Sequence, residues 1–355
     1  MICQLSAMVR NLCTRSKVDN GEELVHIPLT NLPVEILQYI ASLLPLSSAA
    51  SFALCNHSIC HAIGTQYWHA LREKDQITSK RDFLLCLERD LHSFVFCHRC
   101  VQLHRRDLIE GPEQWYYGNR ERQCVKEDGV IKNYAFDYNL KYKHVRLVMN
   151  AHRFGPRHGI PLDVLFHVYT TSRKDDALQV WLKPRIVADE LLLRAQSRVL
   201  LRYDRDFKHV KAYVLKICPH LSAHRNDNLL LHLIACRLSH LDNRPCLYCG
   251  GLKQCRYCPT EFQVEIEDFG EAGVAILVTV WNNLGCGRSP SDPKWRAHVH
   301  DYHNNLITAM PFQYEPGSIQ TAFEQKEDVT SGFCYYKEAL RISSPVRLLR
   351  HMLGV

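Results

Sequence analysis

Between Pro33 and Leu71 the apolar residues recur at helical spacing and are interrupted by helix breakers. Pro33 suits a first helical turn, which needs no backbone donor, and Glu35 faces the positive end of the helix dipole. Ile36, Ile40, Leu43 and Leu44 then form one stripe, widened by Leu37. Pro45 biases Leu44 away from helix and closes the element. Ser47 or Ser48 is placed to cap a second short helix carrying Phe52, Ala53 and Leu54. A third runs through Ile59 and Ile63 to Gly64, with Tyr67, Trp68 and Leu71 as a bulky apolar end. A unit of about fifty residues cannot bury all of these side chains internally, so an apolar face is expected to remain for a partner.

Downstream the period changes. Ser79 is placed to cap a helix with Phe83, Leu84, Leu87 and Leu91 on one face, joining the small unit to a larger domain and carrying Cys86 as a core thiol. His144 to Met149 reads as a short helix or strand, followed by a cationic loop over 150–159. That loop either takes an acidic or phosphate partner or uses its arginines on neighbouring carbonyls, and the structural reading is preferred. Leu178, Val180 and Leu182 alternate with polar or amphipathic residues and predict a strand. The runs Leu191–Leu193 and Val199–Leu201 fit a strand pair or a helix. Phe262, Val264 and Ile266 predict a half-buried strand, and Val274–Trp281 a central one. The segment Leu284–Trp295 reads as loop. The fold class is therefore α+β: a tail over 1–25, a trihelical unit over 26–75, a Cys-rich domain of helices and β-hairpins over 76–300, and a partly disordered tail over 301–355. That tail includes a polar stretch from Asn304 to Val329 and a short basic helix from Ser344 to Gly354.

Composition sharpens this picture at two points. The chain of 355 residues carries a formal charge of only +7, much of it from Arg194, Arg198, Arg202, Arg205, Lys208, Lys211 and Lys216. Scattered solvated cations account for these better than a nucleic-acid surface does. Sixteen cysteines is a high count, and Met1 to Lys17 lacks the apolar core of a signal peptide. The thiols are thus expected in a reducing compartment, cytoplasmic or nuclear, as core residues or metal ligands. The uncharged run Ile36–Asn56 is long enough to span a membrane, but Pro45, Gln38, Ser42, Ser47, Ser48 and Ser51 interrupt it, so no span is predicted.

The cysteine spacings point to zinc. Cys97 and Cys100 place two thiolates on one turn, half of a tetrahedral shell that His104 and Cys124 can complete. The alternatives there are a redox pair or unrelated core thiols. Further on, Cys246, Cys249, Cys255 and Cys258 form two Cys-x-x-Cys turns five residues apart. Either all four hold one metal, or Cys218 and His220 join Cys255 and Cys258 while Cys246 and Cys249 pair with Cys236 or His240. Such zinc is expected to be structural. No nucleophile-elbow, phosphate-cradling loop or His-Glu-x-x-His pattern is present, so catalysis is not expected.

The stretch from Ile27 to Trp68 resembles an F-box, on its Leu32-Pro33-Val34-Glu35-Ile36-Leu37 opening, the second Leu44-Pro45 pair and the late Trp68. It departs from the family at Ala49-Ala50, where leucine is more usual, which implies a loosely packed second helix. The resemblance implies docking onto a Skp-type adaptor, and through it onto a cullin–RING ubiquitin ligase of the SCF type. Leu32, Pro33, Ile36, Leu37, Ile40, Leu43, Pro45 and Leu46 become the implied contacts. The segments Cys258–Val264 and Leu284–Trp295 are similar to fungal F-box proteins with an uncharacterised C-terminal domain. In that setting the Cys-rich domain would hold an unidentified target protein. The alternative is a zinc-dependent nucleic-acid-binding or ligase-independent interaction protein. The ligand pattern lacks the interleaving a RING requires, so direct recruitment of a ubiquitin-conjugating enzyme is not expected.

Overall fold

The computed structural model describes residues 29–106, 112, 124, 129–131, 138–173, 176–201, 216–222, 229–240, 246–268, 273–299 and 311–325. The N-terminal tail, the basic residues from Arg202 to Lys211 and the C-terminal basic helix lie outside them. The chain divides into two compact units after Leu108.

In the first unit, helices α1 (Val34–Leu43), α2 (Leu46–Cys55), α3 (His57–Ile63) and α4 (Gln66–Ala70) follow the expected breaks closely. Pro33 and Pro45 sit immediately before α1 and α2, extended at ψ 147° and 148°, so each proline ring precedes the first turn rather than interrupting one. Ser47 and Ser48 therefore lie inside α2 and cap nothing; the Ser47 carbonyl instead accepts from the Ser51 hydroxyl. Asn56 does cap α3, its side chain accepting from Ser58 N–H at 2.7 Å. Ala49 and Ala50 are fully buried, and the Trp68 indole N–H donates to the Ala50 carbonyl at 3.0 Å. The alanines do not loosen the second helix: their small side chains leave room for the indole to reach the backbone behind them.

A long helix α5 (Ile77–Asp90) belongs to this same unit, not to the larger domain. Phe83, Leu84 and Leu87 pack with Ala50, Leu71 and Phe96. The helix begins at Ile77, so Ser79 is already in its first turn and its hydroxyl bonds the Gln76 side chain at 3.2 Å. Cys86, expected in the core, is exposed. A hairpin of β1 (Phe94–Cys97) and β2 (Gln102–Arg105) follows, and buried Glu88 of α5 accepts from Phe96 N–H at 3.0 Å.

Leu37 packs with Ala41, Ala53, Ile59 and Ile63 and is only 3% exposed. We expect Leu37→Ala to cost about 2–5 kcal/mol, the usual range for a core leucine. The check is denaturant unfolding of the full chain followed by the helical circular dichroism signal, which should show earlier loss of the first unit.

The second unit begins with a short antiparallel pair, β3 (Val130–Ile131) and β4 (Leu140–Lys141), and is built on a six-stranded antiparallel sheet. The strands of that sheet are β5 (His167–Arg173), β6 (Asp176–Val187), β7 (Glu190–Leu201), β10 (Lys253–Gln254), β11 (Thr260–Asp268) and β12 (Val274–Asn283), in the order β10–β11–β12–β7–β6–β5. The ambiguous apolar runs at 191–193 and 199–201 are one continuous strand, β7, paired along its length with β6 and β12. Its alternate residues Leu191, Leu193, Ala195 and Val199 join Val180, Leu182, Phe262, Ile276, Val278 and Val280 in the main core. Helix α6 (Tyr142–Phe154) lays Val145, Val148 and Met149 into the same core, and Trp295 of α8 (Pro293–His298), fully buried, sits edge-on to Tyr142 at 5.7 Å.

Residues 150–154, expected in a cationic loop, are the last turn of α6. Gly159 then passes so close to α6 that a Cβ there would lie 1.7 Å from the Leu147 carbonyl oxygen. Arg153 donates to Asp189 at 2.7 Å and to the Cys286 carbonyl at 2.5 Å. Asp189 ends a two-residue β6–β7 turn in which Ala188 and Asp189 have φ of 49° and 61° without any glycine. The arginine thus holds a turn whose left-handed backbone an aspartate tolerates but an alanine disfavours. Its hydrogen bond, reinforced by Arg288, keeps the Asp189 carboxyl below the usual carboxylate range. A depressed folded pKa stabilises the fold above the unfolded value of about 3.9 and loses that contribution as pH falls through the folded value. Asp189→Asn is therefore expected to lower urea resistance at pH 7, and the gap from the parent protein should shrink steadily below about pH 4.

Arg194 and Arg198, counted among the basic residues, are buried on β7 and pair with Glu324 at 3.0 Å and Glu267 at 2.8 Å. They serve the fold, not an open cationic surface. No helix among the described residues is long and apolar enough to cross a membrane; the uncharged run at 36–56 is broken into α1 and α2.

Candidate metal centres and an apolar helix face

Among the described residues, three groups of side chains each bring one imidazole and three thiols together, with all ligand atoms of a group within 4.8 Å of one another. They are Cys97, Cys100, His104 and Cys124; Cys218, His220, Cys255 and Cys258; and Cys236, His240, Cys246 and Cys249. The two Cys-x-x-Cys turns at 246–258 do not share one site. Each takes its other two ligands from upstream: Cys236 and His240 both join the first turn, and Cys218 and His220 join the second.

Local structure explains each placement. In the first group Cys97 ends β1, Cys100 lies in the hairpin turn and His104 is on β2. Val101 at φ 48° completes the tight turn, and Cys100 N–H points at the Cys97 sulfur at 3.4 Å. In the second group Cys218 ends β8 (Lys216–Cys218), which pairs with β9 (Leu221–Ser222), and His220 sits in the turn between them. Cys255 and Cys258 precede β11, with Tyr257 N–H 3.4 Å from the Cys255 sulfur. In the third group Cys236 lies in the last turn of α7 (Leu229–Leu238), His240 follows it, and Cys246 and Cys249 form the next turn, closed by Gly250 N–H to the Cys246 carbonyl at 2.8 Å. The nesting matters: the third group lies in sequence between the two halves of the second. A RING cross-brace needs the pairs to alternate, and these do not.

The donor sets fit zinc. Ligands about 2.3 Å from a tetrahedral zinc stand about 3.8 Å apart. Cys236 and Cys246 are 3.6 Å apart, Cys246 and Cys249 are 3.6 Å apart, and Cys218 stands 3.9 Å from His220 Nδ1. A disulfide would need about 2.05 Å, and none of the thirteen described cysteines is disulfide-bonded. Three thiolates and one imidazole also favour a soft-accepting divalent ion over calcium or magnesium, which take oxygen. The three groups can therefore each hold a metal ion, consistent with zinc.

The thiols already carry uneven charge. Cys246 is lowered to about 6, first by the Cys249 backbone N–H. Its neighbour Cys236 is raised to about 11, first by desolvation, as expected when clustered thiols share a proton. In the second group Cys255 is lowered, chiefly by its hydrogen bond with Cys218, while burial raises Cys218 and Cys258. A metal ion would replace those shared protons and leave thiolate at every position.

Around the second group lies a shell that the spacing of cysteines does not disclose. Thr260 Oγ1 is 3.1 Å from the Cys258 sulfur, 3.0 Å from His298 Nε2 and 2.9 Å from Asn282 Oδ1. Burial lowers His298 to about 4, so it is neutral, and its Nδ1–H donates to the Lys294 carbonyl at 2.7 Å. Nε2 is then an acceptor; the Thr260 hydroxyl donates to Asn282 Oδ1 and faces His298 Nε2, while the Cys258 thiol can donate to the hydroxyl oxygen. Tyr314 donates to the Thr260 carbonyl at 2.6 Å, and Phe312 N–H to the Arg256 carbonyl at 2.8 Å. The segment 311–325 thus supports the centre, although the stretch Asn304–Val329 was expected to be partly disordered. It continues into helix α9 (Ser318–Glu324), whose Ile319 and Phe323 pack on Leu192 and Trp281.

The second candidate surface is on α1. Ile36, Tyr39 and Leu43 recur at i, i+3 and i+7 and are 45%, 63% and 67% exposed, opposite the buried Leu37 and Ala41. Of the implied contacts, Pro33 and Pro45 are also exposed, while Leu32, Ile40 and Leu46 are half-buried. Leu37 is the exception: it is a core residue and presents no surface. Tyr39, with Val34 at 48% exposed in the first turn, adds to the face; Tyr39 could have been read from its spacing to Ile36 and Leu43.

Comparison of the chain with protein-family models, with curated proteins and with solved structures finds no match to any of them.

Proposed function

We propose that this chain is an F-box-type substrate receptor: α1 docks on a Skp-type adaptor of a cullin–RING ubiquitin ligase, and the zinc-stapled second unit holds a target protein. The observation that carries this reading is the division of α1 into two faces. Leu37 and Ala41 complete the helical core, and the stripe Ile36–Tyr39–Leu43 is left over in the arrangement of Leu-Pro pairs and late tryptophan that resembles an F-box. Side chains of this size each gain about 1.5–3 kcal/mol on full burial, enough for a small helical face to contribute a useful fraction of a stable complex. In this reading the chain binds and does not catalyse, and zinc serves structure: each ion holds turns that have little apolar surface of their own.

The test is reconstitution. Purified full-length chain is mixed with a purified Skp-type adaptor and followed by size-exclusion chromatography with light scattering. A stoichiometric complex is expected. Failure to bind at micromolar concentrations, with the helical unit folded by circular dichroism, would remove the ligase assignment.

A further inference from the structure

The two metal centres of the second unit share a donor set but not an environment. Cys218, Cys255 and Cys258 are 2%, 1% and 0% exposed and belong to the main hydrophobic core, alongside Phe262, Val264 and Val280. In the other centre only Cys249 is buried, at 2%, while Cys236, Cys246 and His240 are half-buried. The turn within it is more exposed still: Leu247 is 99% and Tyr248 49% exposed.

Their anchoring differs in the same direction. Around the inner turn, Cys255 N–H bonds the Thr260 carbonyl at 2.8 Å, Asn283 N–H of β12 bonds the Pro259 carbonyl at 3.0 Å, and Tyr314 and Phe312 bind from outside. Thr260 contacts the Cys258 sulfur and is linked in turn to Asn282 and His298. The outer turn is bonded chiefly to itself, through Gly250 N–H to the Cys246 carbonyl, and to the flexible Lys253 side chain at the Leu247 carbonyl. All four outer ligands fall between residues 236 and 249, at the end of one helix and the turn after it. The inner ligands join β8 to the start of β11, so freeing them opens the edge of the core.

We propose that the outer centre, Cys236–His240–Cys246–Cys249, is an exchangeable metal site that takes and releases a thiolate-preferring divalent ion while the inner centre keeps its own. The physical reason is the route of exchange. A metal leaves a four-ligand shell stepwise, each departing ligand being replaced by a ligand from solution. That requires access to the coordination sphere and a local opening. Local openings at frayed helix ends cost little, whereas openings in a packed core approach the global unfolding free energy. Exchange at the outer site sets the shape of the exposed Leu247–Tyr248 turn, which lies between two of its ligands. This inference rests on the reading that the clusters hold metal.

The experiment uses the full-length chain loaded with zinc, dialysed and assayed for metal. It is then challenged with a chelator in the presence of an alkylating thiol reagent, and each cysteine is followed by peptide mass spectrometry. The measure is the chelator-dependent increment in labelling, which removes differences due to burial alone. Cys236, Cys246 and Cys249 are expected to label at least tenfold faster than Cys218, Cys255 and Cys258, with the β-sheet circular dichroism unchanged during the fast phase. Equal rates for the two sets, a reversed order, or loss of the sheet signal with the fast phase would overturn the proposal. Loaded protein with well under one zinc per chain would instead overturn the metal reading itself.

Discussion

Replacing Cys258 by Ser is expected to unfold the second unit, with loss of its cooperative thermal transition. The inner centre ties β8 and its turn to the start of β11, and Cys258 is fully buried at the centre of the main core. Structural zinc in small domains is worth about 10–16 kcal/mol of apparent free energy. Whole domains are stable by only about 5–15 kcal/mol. Losing the inner metal therefore removes as much as the entire margin, and the sheet cannot make up the difference from its own burial. Prolonged strong chelation should produce the same state, and zinc readdition under reducing conditions should reverse it. The check is near-ultraviolet circular dichroism with scanning calorimetry. A Cys258→Ser chain that keeps a normal sheet transition would make the inner cluster a set of ordinary core thiols.

The second large effect concerns α1. Ile36→Asp combined with Leu43→Asp is expected to weaken adaptor binding by at least about 100-fold, near 2.7 kcal/mol. Both side chains are exposed, so the helical unit should keep its stability; Leu37, Ala41, Ile59 and Ile63 are untouched. Titration calorimetry against the adaptor, with thermal unfolding of the same sample, separates the two quantities. Unchanged affinity in the folded double variant would remove α1 from the interface. Leu37 cannot serve for this test, because a charge there breaks the core and abolishes binding for an unrelated reason.

The order and type of elements were legible wherever a segment had one strong signal. The Leu-Pro pairs at 32–33 and 44–45 placed α1 and α2, since a proline ring restricts its own residue and the one before it whatever surrounds them. The alternation at Phe262, Val264 and Ile266 placed β11 for a similar reason. Segments failed where a residue's role depends on a distant partner. Ser47, Ser48 and Ser79 were legitimate caps by type, but the helices start earlier. Arg153 read as part of a cationic loop because Asp189 and the Cys286 carbonyl, which it serves, are far away in sequence. Cys86 is exposed because the apolar face of α5 falls on Phe83, Leu84 and Leu87.

The same division holds for the metal centres. By itself the sequence determined the donor chemistry: thiols paired three residues apart, with histidines nearby, can form half-shells on single turns without help from the rest of the chain. It could not choose between one four-cysteine site and two mixed ones, because that choice depends on which half-shells meet. Tertiary structure decided it by pairing β11 with β12 and setting β8 and its turn beside the start of β11. This puts Cys218 and His220 against the inner turn and leaves Cys236 and His240 for the outer one. The unequal burial of the two shells follows from the same packing, since only the inner turn leads directly into a core strand.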